Sequence, residues 1–268
     1  MLVEMSPNPS LVVTARPEPA IGMITMNDQK RRNALSGELI ESIVAAIGEL
    51  EHQRVRVIIL RAAAGVRTWS AGHDVRELPT TGRDPLAYND PLRQLVRRIQ
   101  FCPLPVIAMV EGGVWGGACE VVVTCDFAVA AENSTFAITP AKMGVPYNVA
   151  GVLNLMRSAN IALVKEMIFC ARPVDAQRAH AVGLVNYVVP LDQLEAKTFE
   201  LAREISANSP MVIALLKEEL RVLSAAQPLV PETFERIQGM RRAIYDSKDY
   251  QEGIRAFFEK RPPVFRGE

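Results

Sequence analysis

Histidine is scarce in this chain, with three among 268 residues, and His52, His73 and His180 stand far apart with no ligand spacing. A metal centre built on histidine is therefore not expected. Cysteine is almost as rare. Cys102, Cys119, Cys125 and Cys170 form no Cys-x-x-Cys pair and sit mostly in apolar runs, which reads as buried thiols in a reducing cytoplasm. No charge dominates: 30 Lys and Arg face 30 Asp and Glu, and Lys30-Arg31-Arg32 is the most basic cluster. Nothing there suggests a nucleic-acid surface. The uncharged apolar stretches are too short to span a membrane. The start, Met1 to Ser10, carries Pro7 and Pro9 and no apolar core, so it is not a signal peptide and is expected to be a loose tail.

What the chain does have is glycine in telling places. Val106 to Val110 is a short run of strand formers between Pro105 and the pair Gly112-Gly113, and it reads as a buried strand. Gly116 and Gly117 follow, and Ala118 to Cys125 reads as a short buried helix. A helix that starts on glycines presents unpaired N–H groups to whatever approaches it. A second stretch, Thr68 to Val75, places small residues just beyond another apolar strand, Val55 to Leu60. Either the glycines only allow strand and helix to pack closely, or the two turns each aim one N–H at a single oxygen, as enolate chemistry requires.

Strand patterns at Leu11 to Ala15 and Ile21 to Met26 flank a connection with Pro17 and Pro19, and Ser36 caps an amphipathic helix through Leu39, Ile43, Ile47 and Leu50. A helix at Pro91 to Gln100 precedes the strand at Val106, so strand–helix–strand crossovers recur, as in an α/β fold. The polar segment Pro79 to Pro91 reads as an exposed connection or a lid. Phe127 to Ala131, Thr135 to Ile138 and Gly183 to Val189 read as strands, the last after a helix at Asp175 to Ala181. From Asp192 the pattern is helical, with Val212, Leu215, Leu216, Leu220 and Leu223 on one face behind Ser209-Pro210. Two further helices, Glu232 to Tyr245 and Asp249 to Lys260, end at Pro262-Pro263. Apolar stripes without a sheet beside them point to a neighbouring subunit. The chain divides into a core, residues 1–200, and a helical oligomerisation region, 201–268.

Ser70-Ala71-Gly72-His73-Asp74 and Val114-Trp115-Gly116-Gly117-Ala118-Cys119-Glu120 resemble motifs of the crotonase (enoyl-CoA hydratase/isomerase) superfamily. So do Asn33-Ala34-Leu35-Ser36 and Phe257-Phe258-Glu259-Lys260-Arg261, in the family's order and spacing. The resemblance implies a spiral of β-β-α units, a C-terminal helical trimerisation region, and trimers often paired into hexamers. It also implies an acyl-CoA thioester substrate. Gly144-Val145-Pro146-Tyr147-Asn148 and Gly239-Met240-Arg241-Arg242-Ala243 look most like the decarboxylating members. That implies loss of CO2 from methylmalonyl-CoA to give propionyl-CoA.

The resemblance places an oxyanion hole at the backbone N–H groups of His73 and Gly117, with the His73 ring either facing the site or lying outside it. Glu120 matches a catalytic glutamate of the hydratases, or is a structural buried acid. Pro140 stands where those enzymes carry a second glutamate, and proline cannot move a proton, which argues against hydration and isomerisation. Decarboxylation needs no base, no biotin and no metal, because departure of CO2 itself generates the enolate. Tyr147 would orient the carboxylate. Thr139 supplies a second hydroxyl, or is an ordinary turn residue. For CoA, the resemblance implies contacts from Ala34, from Ala71, Gly72, His73, Asp74 and Val75, and from Lys260, whose alternative role is to cap its own helix. Arg31 is a candidate phosphate contact. Rival readings are another lyase of the family, a hydratase among them, and a non-catalytic CoA-binding scaffold.

Overall fold

Val57 to Ala62 and Val106 to Val110 are apolar at every position but Arg61, the pattern of a strand covered on both faces. The computed structural model places them so. It describes residues 10–78, 89–224 and 231–266, with the side chains of 233 and 234 excepted. The expected tail before Ser10 and most of the expected lid, 79–88, lie outside the described residues.

A six-stranded sheet has the order β1 (Val12–Glu18), β2 (Ile21–Met26), β3 (Val57–Ala62), β5 (Val106–Val110), β7 (Phe127–Ala131), β10 (Tyr187–Val189). All its pairs are parallel except β1 with β2. A second sheet has the order β4 (Thr68–Ser70), β6 (Gly113–Trp115), β8 (Thr135–Ala137), β9 (Val174–Asp175). Each turn of the chain gives one strand to each sheet and then a helix: β3, β4 and α2 (Pro91–Phe101); β5, β6 and α3 (Gly117–Thr124); β7, β8 and α4 (Val149–Ser158). That is the expected spiral of β-β-α units. Alternation along β3 and β5 divides the core. Ile58, Leu60, Val106, Ala108 and Val110 face α1 (Gly37–His52), α2 and α3, whereas Val57, Ile59, Ile107 and Met109 face α7 (Leu194–Ser206). Residue 200 falls inside α7, which lies on the sheet.

Several boundaries differ from the sequence pattern. β1 continues through Pro17, with a register shift between Ala15 and Glu18. An edge strand tolerates a residue without an N–H at such an irregularity. β10 keeps only three residues, because Gly183 and Leu184 bond back to His180 and Ala179 and close the end of α6 (Ala176–Ala181). α4 and α5 (Ile161–Phe169), capped by Asn148 and Asn160, were not read from the pattern. β6 was missed too, since a strand of three residues is too short for periodicity to show.

Three helices close the chain: α8 (Pro210–Ser224), α9 (Pro231–Tyr245) and α10 (Lys248–Glu259). The stripe on α8 is present but uncovered in the single chain, with Val212, Leu215, Leu216, Leu220 and Leu223 between 48% and 71% exposed. Among the described residues no helix is long and apolar enough to cross a membrane.

Candidate active site

The parallel strands β4 and β6 end side by side, and the turns that follow them touch. Gly72 has φ +82°, and a Cβ there would stand 2.3 Å from the Trp115 carbonyl oxygen and 3.2 Å from the Gly117 nitrogen. Only glycine lets the two backbones meet in this way. The first turn is stitched to the segment before α1: Leu35 N donates to Gly72 O at 2.8 Å, Ala71 N to Arg32 O at 2.9 Å, and Asn33 Nδ2 to Trp69 O at 2.9 Å. Because Leu35 bridges in parallel to His73 through the Gly72 carbonyl, the N–H of His73 itself faces the other way. It faces the start of α3, where His73 N is 3.6 Å from the point a Cβ of Gly117 would occupy. Gly117 is the first residue of α3, so its N–H has no acceptor within the helix. The two proposed oxyanion donors are thus neighbours, although they lie more than forty residues apart in sequence.

They border a cavity of about 80 Å³, walled by Val75, Leu78, Leu92, Met143, Val145 and Pro146 and by the polar residues His73, Thr139, Tyr147 and Asn148. It adjoins an open cleft of about 500 Å³ that shares Ala71, His73, Val75, Thr139 and Met143 with it. His73 thus borders both, and its Nδ1 is buried and without a hydrogen-bond partner. Pro140 lines the cavity as the first residue of a 3-10 turn, Pro140–Met143.

Glu120 does not border this cavity. It is fully buried, its carboxylate held by Arg93 Nη1 at 2.7 Å, Asn148 Nδ2 at 3.1 Å and Asn154 Nδ2 at 3.3 Å. The Asn148 orientation is settled by its other end, where Oδ1 accepts from Gly151 N at 2.7 Å. Burial pushes the Glu120 carboxyl above the usual carboxylate range, while Arg93 and the two amides pull it down. All three neighbours donate, so an ionised, acceptor-only carboxylate fits them. The side chain ties α2 and α4 to α3.

Tyr147 precedes the cap of α4, and its buried hydroxyl has no partner. Burial first, and then the nearby Glu120 charge, raise its phenol well above the ordinary value. It is a neutral donor at any working pH. Ala34, Ala71, His73, Asp74, Val75 and Thr139 all line the open cleft, together with Arg31, Arg32, Arg76, Phe257 and Phe258. Arg31 pairs with Asp28, and Arg76 with Asp74. Arg32 has no carboxylate partner among the described residues and is the free cation of the cleft. The sequence reading names Arg31 instead for a phosphate, and nothing in the local pattern singles out Arg32. Lys260 borders neither the cavity nor the cleft; it is the left-handed cap of α10, bonding through its N–H to Ala256 and Phe257. Sequence reasoning also missed Leu92, Arg93, Asn148 and Asn154, since nothing in their local pattern reveals a partner so far along the chain.

Residues 16–268 match the family model described as enoyl-CoA hydratase/isomerase. The chain is 52% identical over 247 residues to methylmalonyl-CoA decarboxylase of Escherichia coli strain K12, covering 92% of this chain and 95% of that one. It is 35% identical over 260 residues to the mitochondrial enoyl-CoA hydratase domain-containing protein 3 of Mus musculus, covering 95% and 84% of the two chains. A solved methylmalonyl-CoA decarboxylase complexed with 2S-carboxypropyl-CoA superposes with a TM-score of 0.95 at 50% identity, over 97% of this chain and 100% of that one.

Proposed function

The chain belongs to the enoyl-CoA hydratase/isomerase family, and from that premise we propose that it decarboxylates methylmalonyl-CoA to propionyl-CoA and CO2. One observation carries the choice among the family's reactions. The cavity beside the paired N–H groups is lined by apolar side chains, Pro140 and the polar residues His73, Thr139, Asn148 and Tyr147, the last with an unclaimed hydroxyl, and by no carboxylate among the described residues, while Glu120 lies outside it and accepts from three donors. Hydration needs a positioned acid and base there.

In this reading the thioester oxygen sits between the N–H groups of His73 and Gly117. The Tyr147 hydroxyl donates to the carboxylate and sets the breaking C–C bond perpendicular to the thioester plane. The electron pair of that bond passes into the thioester, and the two donors stabilise the resulting enolate oxygen. CO2 leaves uncharged, which the apolar walls favour over the carboxylate. The α-carbon then takes a proton arriving from the open cleft. No step calls on biotin or a metal. The CoA moiety lies along the cleft, with Arg32 on a phosphate and Ala34 and Ala71 to Val75 along its length. We extend the reading to a homo-trimer, or a hexamer of two trimers, whose contacts cover the α8 stripe, and to a cytoplasmic setting.

The test is a panel of acyl-CoA thioesters. Methylmalonyl-CoA should yield CO2 and propionyl-CoA, and crotonyl-CoA should not be hydrated at a meaningful rate. Efficient hydration would restore the hydratase reading, and tight CoA-thioester binding without turnover would favour the scaffold.

A further inference from the structure

We propose that Leu92 sets the upper size of the α-substituent this site accepts, and so confines it to short malonyl-type thioesters. The inference rests on the decarboxylase reading and adds the substrate limit that the reading leaves open. The cavity is small, about 80 Å³, against about 500 Å³ for the cleft beside it, which suits a short acyl group rather than a long chain.

Leu92 is the cavity wall set beside the oxyanion hole. Its Cδ2 is 2.7 Å from the point a Cβ of Gly117 would occupy, so it packs against the residue whose N–H is one of the two donors. The α-carbon is one bond from the carbonyl carbon whose oxygen those donors would hold, so a group that projects from it to this side of the cavity meets Leu92. The wall is also fixed. Leu92 is 2% exposed, its N–H is bonded to the Asp90 carboxylate at 2.9 Å, and the next residue, Arg93, is tied to both Asp90 and Glu120. The other apolar walls can yield. Met143 is an unbranched and adaptable side chain, and Val75, Leu78, Val145 and Pro146 are all partly exposed.

The experiment measures kcat/KM for malonyl-, methylmalonyl- and ethylmalonyl-CoA with the full chain, Leu92→Ala and Leu92→Phe. Ratios between substrates cancel any loss of folded protein. Leu92→Ala should raise the ethylmalonyl-to-methylmalonyl ratio by about tenfold or more, and Leu92→Phe should lower the methylmalonyl-to-malonyl ratio by a similar factor, the size expected for one methylene in an apolar pocket. Both ratios staying within about twofold of the unaltered protein, in variants that decarboxylate, would overturn the role of Leu92 alone. If the unaltered protein releases CO2 from none of the three, the decarboxylase reading falls and this inference falls with it.

Discussion

Glu120→Gln separates the two roles its position allows. The side chain is fully buried, Arg93 beside it is 15% exposed, and the carboxylate accepts from Arg93, Asn148 and Asn154 together. Glutamine offers one acceptor oxygen and turns an N–H2 toward donors, so at least one of the three loses its partner. Stranding the guanidinium of a buried pair costs about 3–5 kcal/mol. At roughly 2–4 °C per kcal/mol for a chain of this size, the midpoint of thermal unfolding should fall by about 6–20 °C. Activity should behave differently. Measured at a temperature where the variant is folded, kcat for decarboxylation should drop by no more than about tenfold, against the 10²–10³ that loss of an oxyanion donor costs. Glu120→Met combined with Arg93→Met should regain part of the stability, because no charge is left stranded, although the two amides remain unpaired. Calorimetry and a CO2-release assay on the same preparations decide the matter. A variant that keeps its thermal stability but loses a thousandfold in kcat would show that Glu120 carries a proton after all.

Tyr147→Phe removes the donor proposed to hold the carboxylate; kcat/KM for methylmalonyl-CoA should fall by roughly 10–100-fold, the value of about 1.5–3 kcal/mol for a hydrogen bond to a charge, while the affinity for propionyl-CoA is unchanged. Gly117→Pro deletes one oxyanion N–H at the first position of α3, where proline suits a helix start, although its Cβ would come within 2.7 Å of the Leu92 Cδ2, so the comparison uses a variant shown to be folded. Turnover should collapse while a folded variant still binds CoA, and normal decarboxylation would show that the donor was misplaced. Arg32→Ala should weaken CoA binding, and more so at low salt, than Arg31→Ala, whose guanidinium is already engaged by Asp28; equal effects in a titration series would remove the distinction. Burial pushes the thiols of Cys102 and Cys119 up to about 12 from a value of 9.0, whereas Cys170 is exposed. A thiol reagent at pH 8 should therefore label one cysteine per chain rapidly. Because the unfolded thiols ionise first, their contribution to stability is intact below pH 9.0 and is lost as pH rises toward about 12. The unfolding midpoint should fall across that window, and less steeply in Cys102→Ala.

Local chemistry reached a long way. Ser36 before Leu39, Ile43 and Ile47 predicts α1, and it forms with Ser36 as its cap; the apolar runs at Val55 to Leu60 and Val106 to Val110 predict buried strands, and β3 and β5 form there with a core on each face. Pro140 cannot carry a proton whatever surrounds it, and the glycines at 72, 116 and 117 mark where backbone had to come close. These are properties of a residue and its near neighbours, so the order of the letters is enough to show them. Tertiary structure decided the rest. That Arg93, Asn148 and Asn154 surround Glu120, that Leu92 packs against Gly117, and that Arg32 rather than Arg31 is the free cation of the cleft all depend on which elements the spiral brings together. His73 and Gly117 became neighbours because β4 and β6 run in parallel in one sheet, and a strand of three residues carries too little periodicity to announce its partner. The energy of such contacts lies between segments distant in the chain, and no local pattern of residues records it.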